Sequence, residues 1–236
     1  MSTVSASPAE SPVDKVLVWD APVRVFHWLT VLSFAGAWLT AESERWRLVH
    51  VTLGYTLAGL VVFRIVWGLV GTRHARFASF VRGPAAIAAY LRGMLHGRPE
   101  SHAGHNPAGA LAIVALLGLA GVVTATGWAS YTELGGEGLK ELHEAVASLM
   151  LGIVGIHIAG VLLASWLHGG NLIGAMLTGR KPARPQDAVR SAWRSVAALM
   201  ICAVLGFWTF QWQSAPAAGM AAGPSASGRH ADDDND

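Results

Sequence analysis

The stretch Leu142-His143-Glu144-Ala145-Val146-Ala147-Ser148-Leu149-Met150-Leu151-Gly152-Ile153-Val154-Gly155-Ile156-His157 is almost wholly apolar, yet it contains two histidines fourteen positions apart. On an α-helix that turns about 100° per residue, fourteen steps bring the second side chain to within about 40° of the first. The rise of about 1.5 Å per residue separates the two imidazoles by about 21 Å along one face. In a bilayer with a hydrocarbon core about 30 Å thick, one histidine therefore lies near each surface. Because polar groups are costly in lipid, each is expected to have a partner inside the protein.

The composition is typical of a membrane protein. Of the 236 residues, 53% are hydrophobic and only 14% are charged, whereas soluble domains carry about 25% charged residues. Five apolar stretches are long enough, or nearly so, to cross a bilayer, at about residues 23–40, 48–70, 107–128, 142–167 and 195–212. The sequence predicts an all-α membrane protein, built as a four-helix transmembrane bundle with a fifth, C-terminal transmembrane helix.

Composition also divides the chain into segments. The predicted segments are a disordered leader at 1–14, the membrane domain at 15–180, a basic cytoplasmic linker at 181–194, the fifth helix at 195–212 and a disordered acidic tail at 213–236. The leader lacks an apolar core, so the first span is expected to act as its own uncleaved insertion signal.

Basic residues concentrate in two connections, residues 71–106 and 168–194, while the alternate connections are acidic or balanced. By the positive-inside rule the two basic connections face the cytoplasm of an inner (cell) membrane, and the N-terminus is cytoplasmic. Within the first connection, the apolar spacing of residues 84–95 predicts a helix, which lies either flat at the membrane interface or in a soluble loop. Asn106-Pro107 predicts the start of the third span, with asparagine as the cap.

This orientation sorts four histidines by depth. His27 begins the first, outward span and His157 lies near the end of the fourth, inward span, so both are near the cytoplasm. His50 and His143 are both near the outside. Each pair can clamp one haem iron through both axial positions, an arrangement that favours electron transfer over oxygen activation. The single cysteine, Cys202, excludes a Cys-x-x-Cys-His attachment site, so such haems are non-covalent.

Other residues fit this interpretation. Arg64 follows His50 by fourteen positions, so it shares that face at the cytoplasmic level and is predicted to pair with haem propionates; snorkelling to the surface is the alternative. The glycines Gly54, Gly155 and Gly160 lie close to predicted ligands, where a missing side chain lets a flat macrocycle approach. Close helix packing explains these glycines equally well.

The remaining histidines are expected to lie in connections. The set predicted to be solvated is His74, His96, His102 and His168. His105 borders the third span, where it is either a loop residue or a neighbour of a propionate.

The segment Val18-Trp19-Asp20-Ala21-Pro22-Val23-Arg24-Val25-Phe26-His27-Trp28 resembles the opening of bacterial cytochrome b561-type membrane subunits, which include the b-type cytochrome subunit of nickel-iron hydrogenases. Further matches are His50, Gly54-Tyr55, Phe63-Arg64, Trp67-Gly68, Gly71-Thr72-Arg73-His74-Ala75-Arg76-Phe77, Gly104-His105-Asn106-Pro107-Ala108-Gly109, His143 and His157. The resemblance implies a four-helix core that binds two haem b groups and exchanges electrons with quinone. By motif match it assigns the axial ligands to His27, His50, His143 and His157.

The sequence therefore predicts a dihaem b-type cytochrome that carries electrons between the quinone pool and a redox partner, either a periplasmic c-type cytochrome or a hydrogenase-like enzyme. An electron-transfer subunit is favoured over a stand-alone oxidoreductase. One alternative is a superoxide oxidase that donates electrons to quinone, but the outer connections carry more acids than bases and do not favour an anionic substrate. The other alternative is a haem-free membrane anchor of a soluble enzyme.

Overall fold

A computed structural model of the chain describes residues 15–81, 83–96, 104–167 and 169–215. Its elements are β1 (Lys15–Leu17), α1 (Ala21–Thr40), α2 (Arg47–Val70), α3 (Pro84–Leu95), α4 (Pro107–Tyr131), α5 (Gly136–Leu167), α6 (Leu172–Thr178), β2 (Arg180–Pro182) and α7 (Arg194–Ser214). The predicted leader at 1–14, most of the predicted tail, His102 and His168 lie outside the described residues.

Two of the long helices, α1 and α4, begin where the sequence supplies a capping side chain. The Asp20 side chain accepts a hydrogen bond from the Val23 amide at the start of α1, and the Asn106 side chain accepts one from the Gly109 amide at the start of α4. At the other end of α4, the helix continues to Tyr131 and α5 already begins at Gly136. The predicted connection at 129–141 is therefore only a short turn, and two of its acidic residues, Glu137 and Glu141, lie in α5 before the apolar span.

Four helical segments are long and apolar enough to cross a membrane, which makes this a multi-pass membrane protein. They are Glu44–Val70, Pro107–Tyr131, Gly136–Leu167 and Arg194–Ser214. The predicted first span, α1, is not among them, since Arg24 and His27 reduce its mean hydropathy. It nevertheless packs lengthwise between α2 and α7, so it is part of the same bundle.

The fifth apolar stretch lies alongside α2 and antiparallel to it. Near the start of α7, Val196 packs against the cluster that contains Trp67. Twelve residues later in α7, Trp208 Nε1 donates to Thr56 Oγ1 at 2.8 Å, which is eleven residues before Trp67 in α2. The two helices thus share the same depth along most of their length.

Helices that pack against each other follow the spatial order α7–α1–α2–α4–α5. The main core lies at the contact of α2 with α4. Residues that share this core are Phe34, Leu57, Val61, Ala120, Val123 and Met150. Helix α5 packs along α4 and α6 but makes few contacts with α1 or α2. Space therefore remains between α5 and the α1–α2 pair.

We call the end of the bundle formed by residues 71–81 and 179–193 the basic end, and the end formed by residues 41–46 and 132–135 the acidic end. The basic end is a folded cap. Strand β1 pairs antiparallel with β2, with Val16 opposite Lys181, and the Val189 amide donates to the Leu17 carbonyl at 2.8 Å. Residues 181–189, expected to belong to a linker, thus pack on the start of the chain.

The expectation that His74 is solvated is wrong. Its ring is 8% exposed, and Nε2 is 2.7 Å from the Asp187 carbonyl oxygen. The cap explains this difference, because a tertiary contact between residues more than one hundred positions apart has no local signal in the sequence. His96, by contrast, is exposed as expected.

Candidate functional site

At the acidic end, the structure brings His50 and His143 together. Their ring centroids are 6.2 Å apart and their planes cross at 81°. A metal–imidazole bond is about 2 Å and the ring centroid lies about 1 Å behind the nitrogen, so two imidazoles that share one metal ion have centroids about 6 Å apart. The observed separation is therefore suited to a single metal ion between the two rings.

Backbone carbonyls orient both imidazoles. His50 Nδ1 donates to the Ala37 carbonyl at 2.8 Å, and His143 Nδ1 donates to the Val123 carbonyl at 3.0 Å. Since a carbonyl oxygen only accepts, each Nδ1 carries the proton and each Nε2 keeps its lone pair. A metal-ligating histidine commonly donates its other ring N–H in this way.

Between these rings lies a cavity of about 730 Å³, within the range of about 300–1,000 Å³ for ligand and cofactor pockets. His50, His143 and Gly54 are among its lining residues. A Cβ atom added at Gly54 would meet nothing within 4 Å. Close helix packing therefore does not explain this glycine, and a flat group in the cavity does.

Sequence reasoning missed Gly127, on the opposite wall of the cavity. A Cβ atom at this position would lie 2.9 Å from His143 Cε1 and 3.1 Å from His143 Nδ1. The missing side chain lets the imidazole lie against α4, where it reaches the Val123 carbonyl. The small residue is visible in the sequence, but its partner is not, because the contact joins two helices.

At the basic end, the candidate residues are His27, His157 and Arg64. His157 lies close enough to His27 to interact with it electrostatically. His27 Nδ1 and Arg64 Nη1 are buried and have no hydrogen-bond partner among the described residues, and the same holds for Ser33 Oγ. Unpartnered buried polar atoms are rare in native structures, so this end of the bundle is suited to a further group that supplies their partners.

The side chain of Arg64 does not snorkel to the surface. It is 3% exposed, and its guanidinium carbon lies 4.8 Å from the centre of the Phe77 ring. A buried cation needs an anionic partner. Asp20 interacts with Arg64 electrostatically, but no ion pair found in the described part of the chain includes Arg64. Removal from water lowers the pKa of the nearby His105 to about 3, with the charges of Arg64 and Lys181 adding to the effect.

The two histidine levels are separated by one shared layer. Phe34, Leu57 and Met150 belong to a single buried cluster, and each lies seven residues from a candidate histidine in its own helix, at His27, His50 and His143 respectively. Seven residues correspond to a rise of about 10.5 Å. Because these three residues belong to one cluster, this spacing is consistent with the predicted depths of the three histidines on either side of it.

Two glycines on α5 are exposed. A Cβ atom at either Gly155 or Gly160 would meet nothing within 4 Å, so neither is a close helix-packing site within the described chain. Both flank His157. The structure therefore keeps the predicted residues in two groups at opposite ends of the bundle, with His50, His143 and Gly54 in one group and His27, His157 and Arg64 in the other.

Comparisons with known proteins identify the family of this chain. A family model described as prokaryotic cytochrome b561 matches residues 18–179. A probable Ni/Fe-hydrogenase B-type cytochrome subunit of Azotobacter chroococcum mcd 1 is 32% identical over 151 residues, which are 52% of this chain and 62% of that protein. A probable Ni/Fe-hydrogenase 1 B-type cytochrome subunit of Escherichia coli (strain K12) is 29% identical over 143 residues, which are 49% of this chain and 60% of that protein. The chain thus spans about three fifths of the length of these curated relatives. No solved structure is a significant match.

Proposed function

Because the chain belongs to the prokaryotic cytochrome b561 family, we propose that it is a dihaem b-type cytochrome that carries electrons across the membrane. His50 and His143 hold the acidic-end haem, and His27 and His157 hold the basic-end haem. Arg64 binds the propionates of the basic-end haem, and Gly54 and Gly155 give the macrocycles room.

One observation carries this proposal. The rings of His50 and His143 are 6.2 Å apart, and each Nδ1 is already used by a carbonyl. The centroid spacing is that of two imidazoles on one metal ion, and this tautomer leaves the lone pair of each Nε2 available to it. At the basic end the support is of another kind: His27 Nδ1 and Arg64 Nη1 are buried without a partner among the described residues, and a bound group would supply their partners.

When bound, haem iron supplies one-electron redox chemistry. The chain's own residues do the rest. The four histidines would hold the two haems, the apolar cluster of Phe34, Leu57 and Met150 would keep water from the space between them, and Arg64 would offset propionate charge at the basic end.

We further propose that the basic end lies in the cytoplasm and that the membrane is the inner membrane, since basic connections face inward. Quinone is the electron-exchange partner within the membrane. The redox partner is a hydrogenase-like enzyme, because the matched relatives are named as subunits of Ni/Fe-hydrogenases. This partner would dock at the acidic end, where Glu133, Glu137 and Glu141 are exposed.

The experiment that tests the dihaem proposal is a haem count on the purified full chain. We expect two non-covalent haem b groups per chain, two steps in a potentiometric titration, and reduction by a quinol in proteoliposomes. A chain that purifies folded but without a Soret band would instead support the haem-free anchor. A single haem would remove one of the two proposed sites.

Gly54→Leu tests whether the acidic-end cavity holds a macrocycle. Because nothing lies within 4 Å of a Cβ at this position, the folded chain tolerates the side chain, which then occupies cavity space. We expect the haem content to fall from two to one per chain. Gly118→Leu in α4 is the matched control, since that glycine is equally open but does not line the cavity. Two haems in the Gly54 variant would contradict the assignment.

A further inference from the structure

The basic end contains a buried carboxylate to which the proposed function assigns no role. Asp20 is 1% exposed. Its Oδ1 accepts from the Val23 amide at 2.8 Å, and its Oδ2 accepts from Trp67 Nε1 at 3.1 Å and from Thr72 Oγ1 at 2.6 Å. All three donors are neutral, and none of the ion pairs found among the described residues involves Asp20.

The hydrogen bonds place this charge near the basic-end site. Asp20 is seven residues before His27, about 10 Å along α1. Trp67, which it contacts, is three residues after Arg64 on α2, so the two α2 side chains are neighbours on one face. Asp20 and Arg64 also interact electrostatically, although no hydrogen bond joins them. The carboxylate therefore lies about two helical turns from the proposed ligand along α1 and close to the buried guanidinium.

We propose that Asp20 sets the redox potential of the basic-end haem, as the negative charge that opposes Arg64. This inference rests on the dihaem proposal. A fixed negative charge stabilises oxidised haem, which carries one more positive charge than reduced haem, and so lowers the potential. Arg64 has the opposite effect. Because both side chains are almost fully buried, water screens their fields weakly.

The effect has an expected size. At an effective dielectric constant of about 20, one charge about 10 Å from the iron changes the ratio of oxidised to reduced haem by about tenfold at a fixed potential, or roughly 60 mV for one electron. The acidic-end haem, on the far side of the Phe34 layer, is expected to change much less. It serves as an internal reference in the same sample.

The test is potentiometric titration of the full, haem-loaded chain carrying Asp20→Asn. We expect the reduction potential of the basic-end haem to rise by roughly 60 mV, which corresponds to a tenfold change in the ratio of oxidised to reduced haem. Arg64→Gln is expected to lower this potential, and the double variant to return it close to the wild-type value. Asp187→Asn is the matched control. It is also a buried acid at this end, but its carboxylate is 3.3 Å from Arg184 Nε, so its charge is already paired.

A purely structural role is tested separately. Thr72→Val removes one hydrogen bond to Asp20 but keeps the charge of Asp20, so this variant is expected to leave the potential of the basic-end haem unchanged. If Asp20→Asn fails to fold, Asp20→Ser is used in its place, because serine keeps an N-cap oxygen for α1 without the charge. Two haems with an unchanged basic-end potential in the neutral variant would overturn this inference alone. Fewer than two haems in the wild type would overturn the dihaem proposal instead.

Discussion

His143→Ala is expected to leave one haem b per chain, down from two, because the acidic-end iron loses one of its two protein ligands. The ring of His143 is fixed by the Val123 carbonyl and lies against Gly127, so no neighbouring histidine takes its place. Haem extraction and the Soret absorbance of the purified variant measure the loss. His50→Ala is expected to remove the same haem, and the potentiometric step that remains should be the same in both variants.

Controls separate ligation from folding. His96→Ala removes an exposed histidine that directly follows α3 and is expected to keep both haems. His143→Met keeps a side chain that is able to bind iron, and a Met ligand raises the potential of a haem relative to bis-histidine ligation. We therefore expect partial retention with a raised acidic-end potential. Two fully retained haems in His143→Ala, with unchanged spectra, would show that His143 is not a ligand.

The sequence predicted the helical class of the fold and, from the position of each histidine along its span, the depth proposed for each candidate ligand. A helix repeats its direction every seven and fourteen residues closely enough that His143 and His157 had to share a face. In a helix that spans the membrane, the position of a residue in the sequence then predicts its depth in the bilayer. In the structure, Phe34, Leu57 and Met150 belong to one buried cluster, and each lies seven residues from a candidate histidine in its own helix.

Contacts between helices could not be predicted in the same way. The acceptors for the two acidic-end imidazoles are the carbonyls of Ala37 and Val123, and every residue has a carbonyl, so no side chain marks them. The basic-end cap was missed for a related reason. Strands of three residues such as β1 and β2 have no periodicity to detect, and their pairing joins Val16 to Lys181, two residues far apart in the sequence. The buried position of His74 follows from that pairing.

Loss of the basic-end haem is expected to have a further consequence, because it leaves the buried charge of Arg64 without its proposed propionate partner. His157→Ala and His27→Ala are each expected to remove the basic-end haem and to retain the acidic-end haem. Electron transfer from quinol to an acceptor on the opposite side of a proteoliposome should then fall to background, since the remaining haem lies at only one level. Haem content and cross-membrane reduction measure the two effects.

The buried charge of Arg64 is expected to make loss of the basic-end haem more destabilising than loss of the acidic-end haem. With the proposed propionates gone, a cation that is 3% exposed has Asp20 nearby but no hydrogen-bonded anion, and an uncompensated buried charge costs about 3–5 kcal/mol. We therefore expect His157→Ala to unfold at a lower temperature than His143→Ala. In the His157→Ala background, Arg64→Gln should raise the unfolding temperature, by about 2–4 °C for each kcal/mol recovered. In the haem-loaded wild type the same change should lower it, because there the charge has a partner. This reversal of sign distinguishes a propionate ligand from an ordinary buried arginine, for which Arg64→Gln would shift stability in the same direction in both backgrounds.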